Sequence, residues 1–408
     1  MIKQDPHPDL DFIVVIPAFS EKHLGDTLKS LLNCENENIR VEILVIVNDR
    51  IDSSKETKEI NKNTIRELDR ISKENSNDSI RIYYSYQGDL DKKHGGVGLA
   101  RKIGMDEALR RAYSIQSFGL PIICLDADCT VSSNYLMQIH THFKQNYDSP
   151  GASIYFEHQL ENEAIVYYEL FLRYYVNALR FAGYPFAYHT VGSSMAVRAL
   201  EYAMEGGMNR RKAGEDFYFI HKIIPRGHFG EINSCTVYPS ARKSERVPFG
   251  TGKAMIEFEK NSEKYLNFYD FEIFVDLKKV VSQIDEWYKC RNTPKYLELS
   301  YSALPKVFKS YIELTEFLWQ INEAKENSSS QKNFNKRIFQ WLDAFTILKL
   351  IHFARDHCYP NSNALGCANR LLINTGFCKN EISNVSELLS EFRKIDRKGI
   401  LLNQMRNI

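Results

Sequence analysis

Short apolar runs that end in polar residues alternate with periodic, helix-like stretches over the first half of the chain. Four of these runs predict β-strands, which are buried at residues 11–16, 41–47 and 120–125 and more exposed at residues 81–86. The stretches between them predict helices, over residues 24–32 and 54–73 and from about residue 97 onward. Strands that alternate with helices predict a parallel α/β sheet, and such sheets bind ligands at the carboxyl ends of their strands.

The later part of the chain continues this pattern and then becomes predominantly helical. Further strands are predicted at residues 152–158, 190–197 and 231–238. A helix predicted over 161–181 is rich in tyrosine, and its rings either pack in a core or stack on a sugar or an apolar acceptor. Beyond residue 255 glycine is rare, and helices are predicted near 255–266, 273–289, 304–323, 333–356 and 384–396, with a polar loop at 323–333. We therefore predict two domains, an α/β domain over residues 1–254 and a helical region over 255–408.

Composition limits the classes of partner and location. The 408 residues include 53 Lys and Arg against 52 Asp and Glu, which gives no electrostatic reason to expect nucleic acid. No apolar run approaches the roughly 18 residues of a membrane span, and the N-terminal residues lack the core of a signal peptide, so a cytoplasmic location is expected. The 8 cysteines form no C-x-x-C pair and are expected to be reduced. The alternative is a metal site built from Cys358, Cys367, His352 and His357, whose spacing matches no standard zinc pattern.

Two acids, Asp126 and Asp128, follow the apolar run at 120–125. Carboxylates at the end of a buried strand need a neutralising partner, because an unpaired buried charge is costly. Mg²⁺ and Mn²⁺ prefer carboxylate oxygens and often share them with substrate phosphates. The motif therefore indicates a divalent metal site. The alternative is an acidic turn before a helix that Ser132 or Ser133 caps.

Three further motifs carry groups that suit ligand binding. A glycine-rich turn at residues 94–98 leads into a helix, where backbone N–H groups and Arg101 suit a phosphate, although a plain loop would look the same. Gly192 lets a ligand or another backbone approach its strand closely. Glu215 and Asp216 begin a helix, where acids either complement the helix dipole or take part in chemistry.

In this order, the motifs resemble those of family 2 glycosyltransferases of the GT-A fold. The resemblance covers about residues 10–255 and is carried by Pro17-Ala18-Phe19-Ser20-Glu21, Asn48-Asp49, Ala100-Arg101, Asp126-Ala127-Asp128, Gly192-Ser193-Ser194-Met195 and Gly214-Glu215-Asp216. It implies a Rossmann-like sheet that is mixed but mostly parallel and is flanked by helices. It also implies an inverting glycosyltransferase that moves a sugar from a UDP- or GDP-sugar to an acceptor hydroxyl, with Mn²⁺ or Mg²⁺.

The resemblance also implies roles for individual residues. Asp128 matches the metal ligand, Asp126 lies near the metal and the ribose, and Asp216 matches the catalytic base beside Glu215. Asp49 matches the acid that pairs with the donor's base, and Asn48 stands where the family usually has a second acid. The remaining donor contacts implied are Pro17, Ala18 and Glu21 in the first nucleotide-binding loop, Arg101 near the nucleotide, and Arg242 and Arg246 at the diphosphate.

These roles are chemically consistent, since positive charge stabilises a departing diphosphate and a carboxylate can take the acceptor's proton. Two alternatives stay open. One is a retaining glycosyltransferase or a nucleotidyltransferase on the same fold, with His228 as a third metal ligand; the other is a non-catalytic carbohydrate-binding protein. The acceptor is expected to be a glycan, a lipid-linked molecule or a small molecule. Peripheral contact with the inner face of the membrane and a homo-oligomer are both compatible with the sequence.

Overall fold

The computed structural model describes residues 2–93, 95–210, 214–244 and 250–399. These residues form two compact units, each built from two separate stretches of chain. The first unit contains the residues up to Ile165 together with His189–Glu257, and the second contains Val166–Tyr188 together with the residues from Phe258 onward. Residues 166–188 therefore group with the C-terminal helices, and the predicted functional division at residue 254 stays a prediction.

The first unit is organised around one sheet of eight strands. The strands are β1 (Phe12–Ala18), β2 (Val41–Arg50), β3 (Ile80–Leu90), β4 (Pro121–Cys124), β5 (Thr130–Val131), β6 (Gly151–Phe156), β7 (Met195–Arg198) and β8 (Gly230–Tyr238). Their order across the sheet is β3-β2-β1-β4-β7-β6-β8-β5. The β3–β2–β1–β4 half and the β6–β8 pair are parallel, whereas β7 is antiparallel to both of its neighbours and β5 to β8. The predicted class, a mixed and mostly parallel α/β sheet flanked by helices with a helical C-terminal region, is confirmed.

β1 runs two residues further than predicted, through Pro17 and Ala18. Proline has no backbone N–H to donate to a sheet, so the sequence favoured a loop there. Val15 O accepts a hydrogen bond from Leu125 N (3.1 Å), so the polar groups of Val15 face β4, and those of Pro17 face the same side two residues later. Because β4 has already ended at Cys124, Pro17 removes no hydrogen bond from the sheet.

The helices that begin in the first unit follow the predicted order. They are α1 (Leu24–Leu32), α2 (Lys55–Asn75), α3 (Val97–Ser114), α4 (Tyr135–Gln145), α5 (Glu163–Phe181), α6 (Ala199–Met204), α7 (Glu215–Ile223) and α8 (Thr251–Lys260). A Cβ at Gly104 would collide with Val15 and would also crowd Ile46, so glycine lets α3 lie directly on β1 and β2. This close packing carries Arg101 and Arg111, both on α3, into the buried layer.

Three local predictions need correction. β3 extends to Leu90, beyond the predicted end at residue 86, because it stays paired with β2 as far as Arg50. β7 begins at Met195 and not at residue 190, since the turn around Gly192 precedes it. Neither Ser132 nor Ser133 caps α4: the N-cap position falls on Asn134, which makes no side-chain cap.

The second unit is helical apart from one pair of short strands. Its helices after α8 are α9 (Phe271–Val281), α10 (Ile284–Cys290), α11 (Pro294–Ala303), α12 (Lys306–Tyr311), α13 (Leu314–Glu326), α14 (Gln331–Trp341), α15 (Ala344–His357), α16 (Ala364–Asn374) and α17 (Val385–Lys398). The strand pair joins β9 (Asn267–Phe268) to β10 (Ser362–Asn363). Several predicted helices are split in two. The helix expected over 333–356 breaks because Asp343 accepts a hydrogen bond from Thr346 N (2.8 Å) and so caps a new helix.

The part of α5 that belongs to the second unit packs its aromatic rings into a core. Tyr174 stacks on Phe268 with ring centroids 5.4 Å apart and meets Phe274 edge to face at 5.7 Å. Phe171 also contacts Phe268, at 5.3 Å. Of the two predicted uses of these aromatic residues, core packing is the one that the structure shows for these rings.

A buried network of charges joins α5 to α17 within the same unit. Arg173 Nε donates to Glu169 Oε1 (2.8 Å), and Arg173 Nη1 donates to Asp396 Oδ2 (2.6 Å). Asn177 also donates to Asp396 (2.8 Å), and Arg393 donates two hydrogen bonds to Glu169 (2.8 and 2.9 Å). Each carboxylate is therefore matched by more than one donor, as buried charges require.

None of the described helices combines the length and the apolar character that crossing a membrane requires.

Candidate functional site

The predicted site residues converge at one edge of the sheet in the first unit. Because β1, β2 and β4 are parallel, their carboxyl ends share an edge, and these ends carry Glu21, Asp49 and the Asp126–Asp128 motif. β7 is antiparallel to β4, so the turn at Gly192 that precedes β7 lies at the same edge. β8 runs in the same direction as β6 and β4, which places Arg242 there as well.

Arg101 joins the two acidic motifs. Its Nη2 donates to Asp126 Oδ1 (2.6 Å), and its Nη1 donates to Glu215 Oε1. The Arg101 and Glu215 side chains are each 3% exposed, whereas that of Asp126 is 36% exposed. Burial alone would lower the pKa of Arg101, but the negative charges of Asp126 and Glu215 raise it above its ordinary value. The guanidinium thus remains charged, and its surface is taken up by carboxylates.

Asp216 lies beside this ion pair, against the backbone of Gly192. A Cβ at Gly192 would lie 2.8 Å from Asp216 Oδ2 and 2.9 Å from both terminal nitrogens of Arg101. Asp216 Oδ1 accepts a hydrogen bond from Phe217 N (2.8 Å). Burial raises the pKa of Asp216 above the ordinary aspartate value, although Arg101 acts in the opposite direction. A carboxylate with a raised pKa is a stronger proton acceptor once it is ionised.

Glu215 and Asp216 do not cap α7. The N-cap position is Gly214, whose backbone is left-handed (φ 70°) and makes no side-chain cap. Burial also raises the pKa of Glu215, against the opposing charge of Arg101. The structure therefore uses these two acids inside the first turn, where they face the Arg101 cluster, and not as helix caps.

Arg242 connects the loop after β1 to the Asp126–Asp128 motif. It donates to both carboxylate oxygens of Glu21, one of them at 2.7 Å, and its Nη2 lies 3.1 Å from Asp128 Oδ2. Burial would lower the pKa of Arg242, but the hydrogen bonds to Glu21 and the charge of Asp128 raise it. Arg246, the second predicted diphosphate contact, lies outside the described residues.

Asp49 is fully buried and already bonded. Its Oδ2 accepts from the Tyr86 hydroxyl (2.5 Å) and from Asn61 (3.3 Å), and its Oδ1 accepts from Asp89 N (3.0 Å). Burial would raise the pKa of Asp49, but these hydrogen bonds lower it below its ordinary value. The hydrogen bond to Asp49 raises the pKa of Tyr86 to about 12. Tyr86 itself is 46% exposed. Tyr86 therefore lies between Asp49 and solvent.

The structure shows no side-chain hydrogen bond to the site from the remaining described residues of the predicted donor loops. Pro17 and Ala18 are buried within β1. α3 follows β3, whose carboxyl end lies at this edge of the sheet, so the backbone N–H groups of the first turn of α3 lie there as well. Asn48 is buried, and neither of its side-chain amide atoms has a hydrogen-bond partner.

A divalent cation is implied at Asp126 and Asp128. Within the described ranges, no cluster of three or more His, Cys, Asp or Glu side chains is arranged to hold a metal, which also leaves no support for the Cys358 and Cys367 alternative. His228 pairs with Asp148 (3.3 Å) at the opposite edge of the sheet, so it is not a third ligand. Two carboxylates alone still fit Mg²⁺ or Mn²⁺, because these ions are commonly held by one or two carboxylates together with substrate phosphates.

Two residues of the site were not predicted as contacts: Tyr86 and Asn61, which bond to Asp49. At Gly192, where close approach was predicted, the side chains of Asp216 and Arg101 lie against the backbone. Asn61 lies on the buried face of the polar helix α2, in register with Thr64, Leu68 and Ile71. That register was visible in the sequence and could have marked Asn61 as a buried amide that needs a partner.

No family model matches this chain, and no curated protein does. Among solved structures, residues 1–349 of S. aureus TarS in complex with UDP-GlcNAc are similar over 96% of this chain and 92% of that one, at 15% identity and a TM-score of 0.41. The mannosyltransferase PcManGT from Pyrobaculum calidifontis, in complex with GDP-Man and Mn²⁺, is similar over 98% of this chain and 90% of that one, at 11% identity and a TM-score of 0.38. Similarity this low does not assign a function to this chain.

Proposed function

We propose that this chain is an inverting glycosyltransferase that moves a sugar from a nucleotide-diphosphate sugar to an acceptor hydroxyl. The observation that carries the proposal is the meeting of two acidic motifs, Asp126–Asp128 and Glu215–Asp216, at one sheet edge on either side of Arg101. Such a transfer needs one carboxylate group for a cation and the leaving diphosphate, and another for the acceptor's proton. Two separate acidic motifs provide for both needs.

Asp216 is the proposed general base. Its carboxylate, which interacts with the backbone of Phe217 and of Gly192, would take the proton of the acceptor hydroxyl. Attack by that hydroxyl on the side of the sugar opposite the leaving group inverts the anomeric carbon. Since the raised pKa of Asp216 strengthens it as a proton acceptor, the acid limb of the activity profile should lie above the range of an ordinary aspartate.

The donor side of the proposed site consists of Asp126, Asp128, Glu21 and Arg242. Asp126 and Asp128 would hold a divalent cation, which, when bound, supplies positive charge to the leaving diphosphate. Arg242 is already placed beside Asp128 and Glu21, and its fork suits the oxygens of a phosphate. The assignment of this chemistry to residues 1–254, with a cytoplasmic location, is part of the proposal.

The assignment of Asp49 to the donor's base is also part of the proposal. Because the Tyr86 hydroxyl occupies Asp49 Oδ2, a base N–H can reach that oxygen when Tyr86 gives way. The exchange of one hydrogen bond for another costs little net free energy. Either a uracil or a guanine base presents a ring N–H that suits such a carboxylate.

Binding is the first experiment. The melting temperature of the protein is measured with UDP and with GDP, each with and without Mn²⁺, and a panel of UDP- and GDP-sugars is screened for release of the nucleoside diphosphate. We expect one nucleotide to raise the melting temperature when Mn²⁺ is present, as ligand linkage requires. A protein that binds none of them and releases no diphosphate would contradict the proposed function and favour the non-catalytic alternative.

Two variants then separate the roles. Asp216→Asn should lower turnover by about 10²–10⁴-fold, the usual contribution of a general base, with donor affinity nearly unchanged. Asp128→Asn should weaken donor binding in Mn²⁺ as well as turnover. Asp148→Asn is the matched control, because Asp148 is an exposed acid at the opposite edge of the sheet. Near-wild-type turnover in Asp216→Asn would reject the base and favour a retaining transferase or a nucleotidyltransferase.

A further inference from the structure

Arg101 is the buried centre of the site, and its surroundings differ from those of an arginine that binds a nucleotide. A phosphate contact needs guanidinium surface at the cleft, yet the Arg101 side chain is 3% exposed. Its two terminal nitrogens are directed to Asp126 and Glu215, which belong to different motifs and different elements of the fold. The charge of Arg101 is therefore neutralised within the protein by Asp126 and Glu215.

The contacts of Arg101 set the position of Asp216 as well. Glu215 and Asp216 are consecutive in the first turn of α7, so a bond that holds Glu215 also fixes the rotation of that turn. On the other side, Asp216 Oδ2 and both terminal nitrogens of Arg101 lie close to the Cα of Gly192, where a Cβ would come within 2.9 Å of each. Asp216 is thus confined between the Arg101–Glu215 pair and the Gly192 backbone.

We propose that Arg101 is a positioning residue, which holds the base Asp216 at a fixed place relative to Asp126 and the leaving group. This inference rests on the proposed function. A planar guanidinium has two parallel donors and can hold two carboxylates in a defined geometry, whereas an ammonium is a point charge that cannot. Without the fork we expect α7 to keep its fold, but its first turn loses its tie to Asp126, which lies just after β4.

The same helix offers a matched control. Arg111 lies ten positions further along α3, is fully buried, and pairs with Glu42 through two hydrogen bonds (2.5 and 2.8 Å). It also donates to Gln4 O (2.8 Å) and lies over the ring of Tyr83. Arg111 is thus a buried arginine in an ion pair on α3, like Arg101, but its partners are not residues of the site.

The test compares Arg101→Lys with Arg111→Lys in the full chain. For each we measure turnover, the KM for the donor and the melting temperature, with turnover expressed per folded protein. We expect Arg101→Lys to lower turnover by about 10²-fold, the usual effect of misplacing a catalytic group by about 1 Å, with the donor KM changed by less than about threefold. Arg111→Lys should lower the melting temperature and leave turnover per folded protein unchanged.

A second pair of variants approaches the cluster from the backbone. Gly192→Ala places a Cβ against Asp216 and Arg101 and should also lower turnover with little effect on the donor KM. Gly119→Ala is its control, because the nearest atom to a Cβ there is 3.6 Å away, an ordinary contact. This pair decides the matter if Arg101→Lys does not fold.

The outcomes are distinct. Wild-type turnover in Arg101→Lys, or an equal loss in Arg101→Lys and Arg111→Lys, would overturn the positioning role and leave the proposed function intact. If Arg101→Lys mainly raises the donor KM and leaves turnover nearly unchanged, Arg101 binds the nucleotide, and the positioning role is likewise overturned. A wild-type protein that turns over no nucleotide sugar would overturn the proposed function and the positioning role together.

Discussion

The pair formed by Arg111 and Glu42 allows a stability prediction whose magnitude follows from its contacts. Arg111→Met leaves Glu42 as a buried charge that has lost its partner, and Glu42→Leu does the same to Arg111. Removal of one partner of a buried ion pair typically costs about 3–5 kcal/mol. For a unit of this size, that corresponds to a fall in melting temperature of about 6–20 °C.

The double variant should be less damaged than the sum of the two single variants. With both charges gone, the main remaining loss is the hydrogen bond from His7 N to Glu42 Oε1 (3.1 Å), because Gln4 is exposed and its carbonyl can bond to water. An unpaired buried N–H costs about 1–3 kcal/mol. We therefore expect the double variant to lose about 1–3 kcal/mol and the coupling energy to be at least about 3 kcal/mol.

Hydrogen exchange of the β2 amides is a suitable assay, since it reports the free energy of opening this sheet separately from the second unit. Arg70→Ala is the control, because Arg70 forms an exposed pair with Glu74 (2.7 Å) and should cost less than about 1 kcal/mol. Additive single and double variants, or single variants that cost no more than Arg70→Ala, would refute the reasoning.

Three further predictions concern the acids and the C-terminal unit. Because burial raises the pKa of Asp216, its ionisation opposes folding as pH rises through that pKa, and Asp216→Asn should raise the melting temperature at pH 7. Calorimetry against pH should show this gain vanish below about pH 4, where the carboxyl is protonated in the unfolded chain as well. Tyr86→Phe removes the hydroxyl that occupies Asp49 and should tighten binding of the cognate nucleoside diphosphate by about 2–10-fold in calorimetric titration, so that weaker binding would contradict a displaced Tyr86. Truncation after residue 254 removes the packing partners of residues 166–181, and the shortened chain should aggregate on expression. A soluble, monomeric product with a cooperative melting transition would show that those partners are dispensable.

The sequence predicted where the acids of the site would lie, because that information is local. Asp126 and Asp128 follow an apolar strand, and Glu215 and Asp216 begin a helix, which is visible from hydrophobic periodicity alone. For Glu21, Asp49 and the Asp126–Asp128 motif, the shared edge follows from parallel pairing of β1, β2 and β4. For the same reason, the mixed α/β class with its helical C-terminal region was predictable.

The partners of those acids were not predictable, since they depend on contacts between distant residues. Arg101 is separated from Glu215 by 114 positions, and nothing local distinguishes an arginine that faces a phosphate from one that faces two carboxylates. Pro17 shows the same limit: its place within β1 depends on where β4 ends, which is a property of the neighbouring strand. The missed helix boundary at Asp343, by contrast, carried a local capping signal.

The division of the chain into discontinuous units affects the order in which the protein can be completed during synthesis. Arg173 and its partner Asp396 are 223 positions apart, so α5 leaves the ribosome long before the helix that neutralises it. At about 5–20 residues per second, that interval is roughly 10–45 s. The aromatic rings of α5 lack their partners until residues 268–274 emerge, and Arg173 lacks Asp396 for the whole interval, so a chaperone that binds nascent chains would find an exposed apolar segment there. The nascent protein should therefore be most prone to aggregation after the sheet has been translated and before its last helix has emerged.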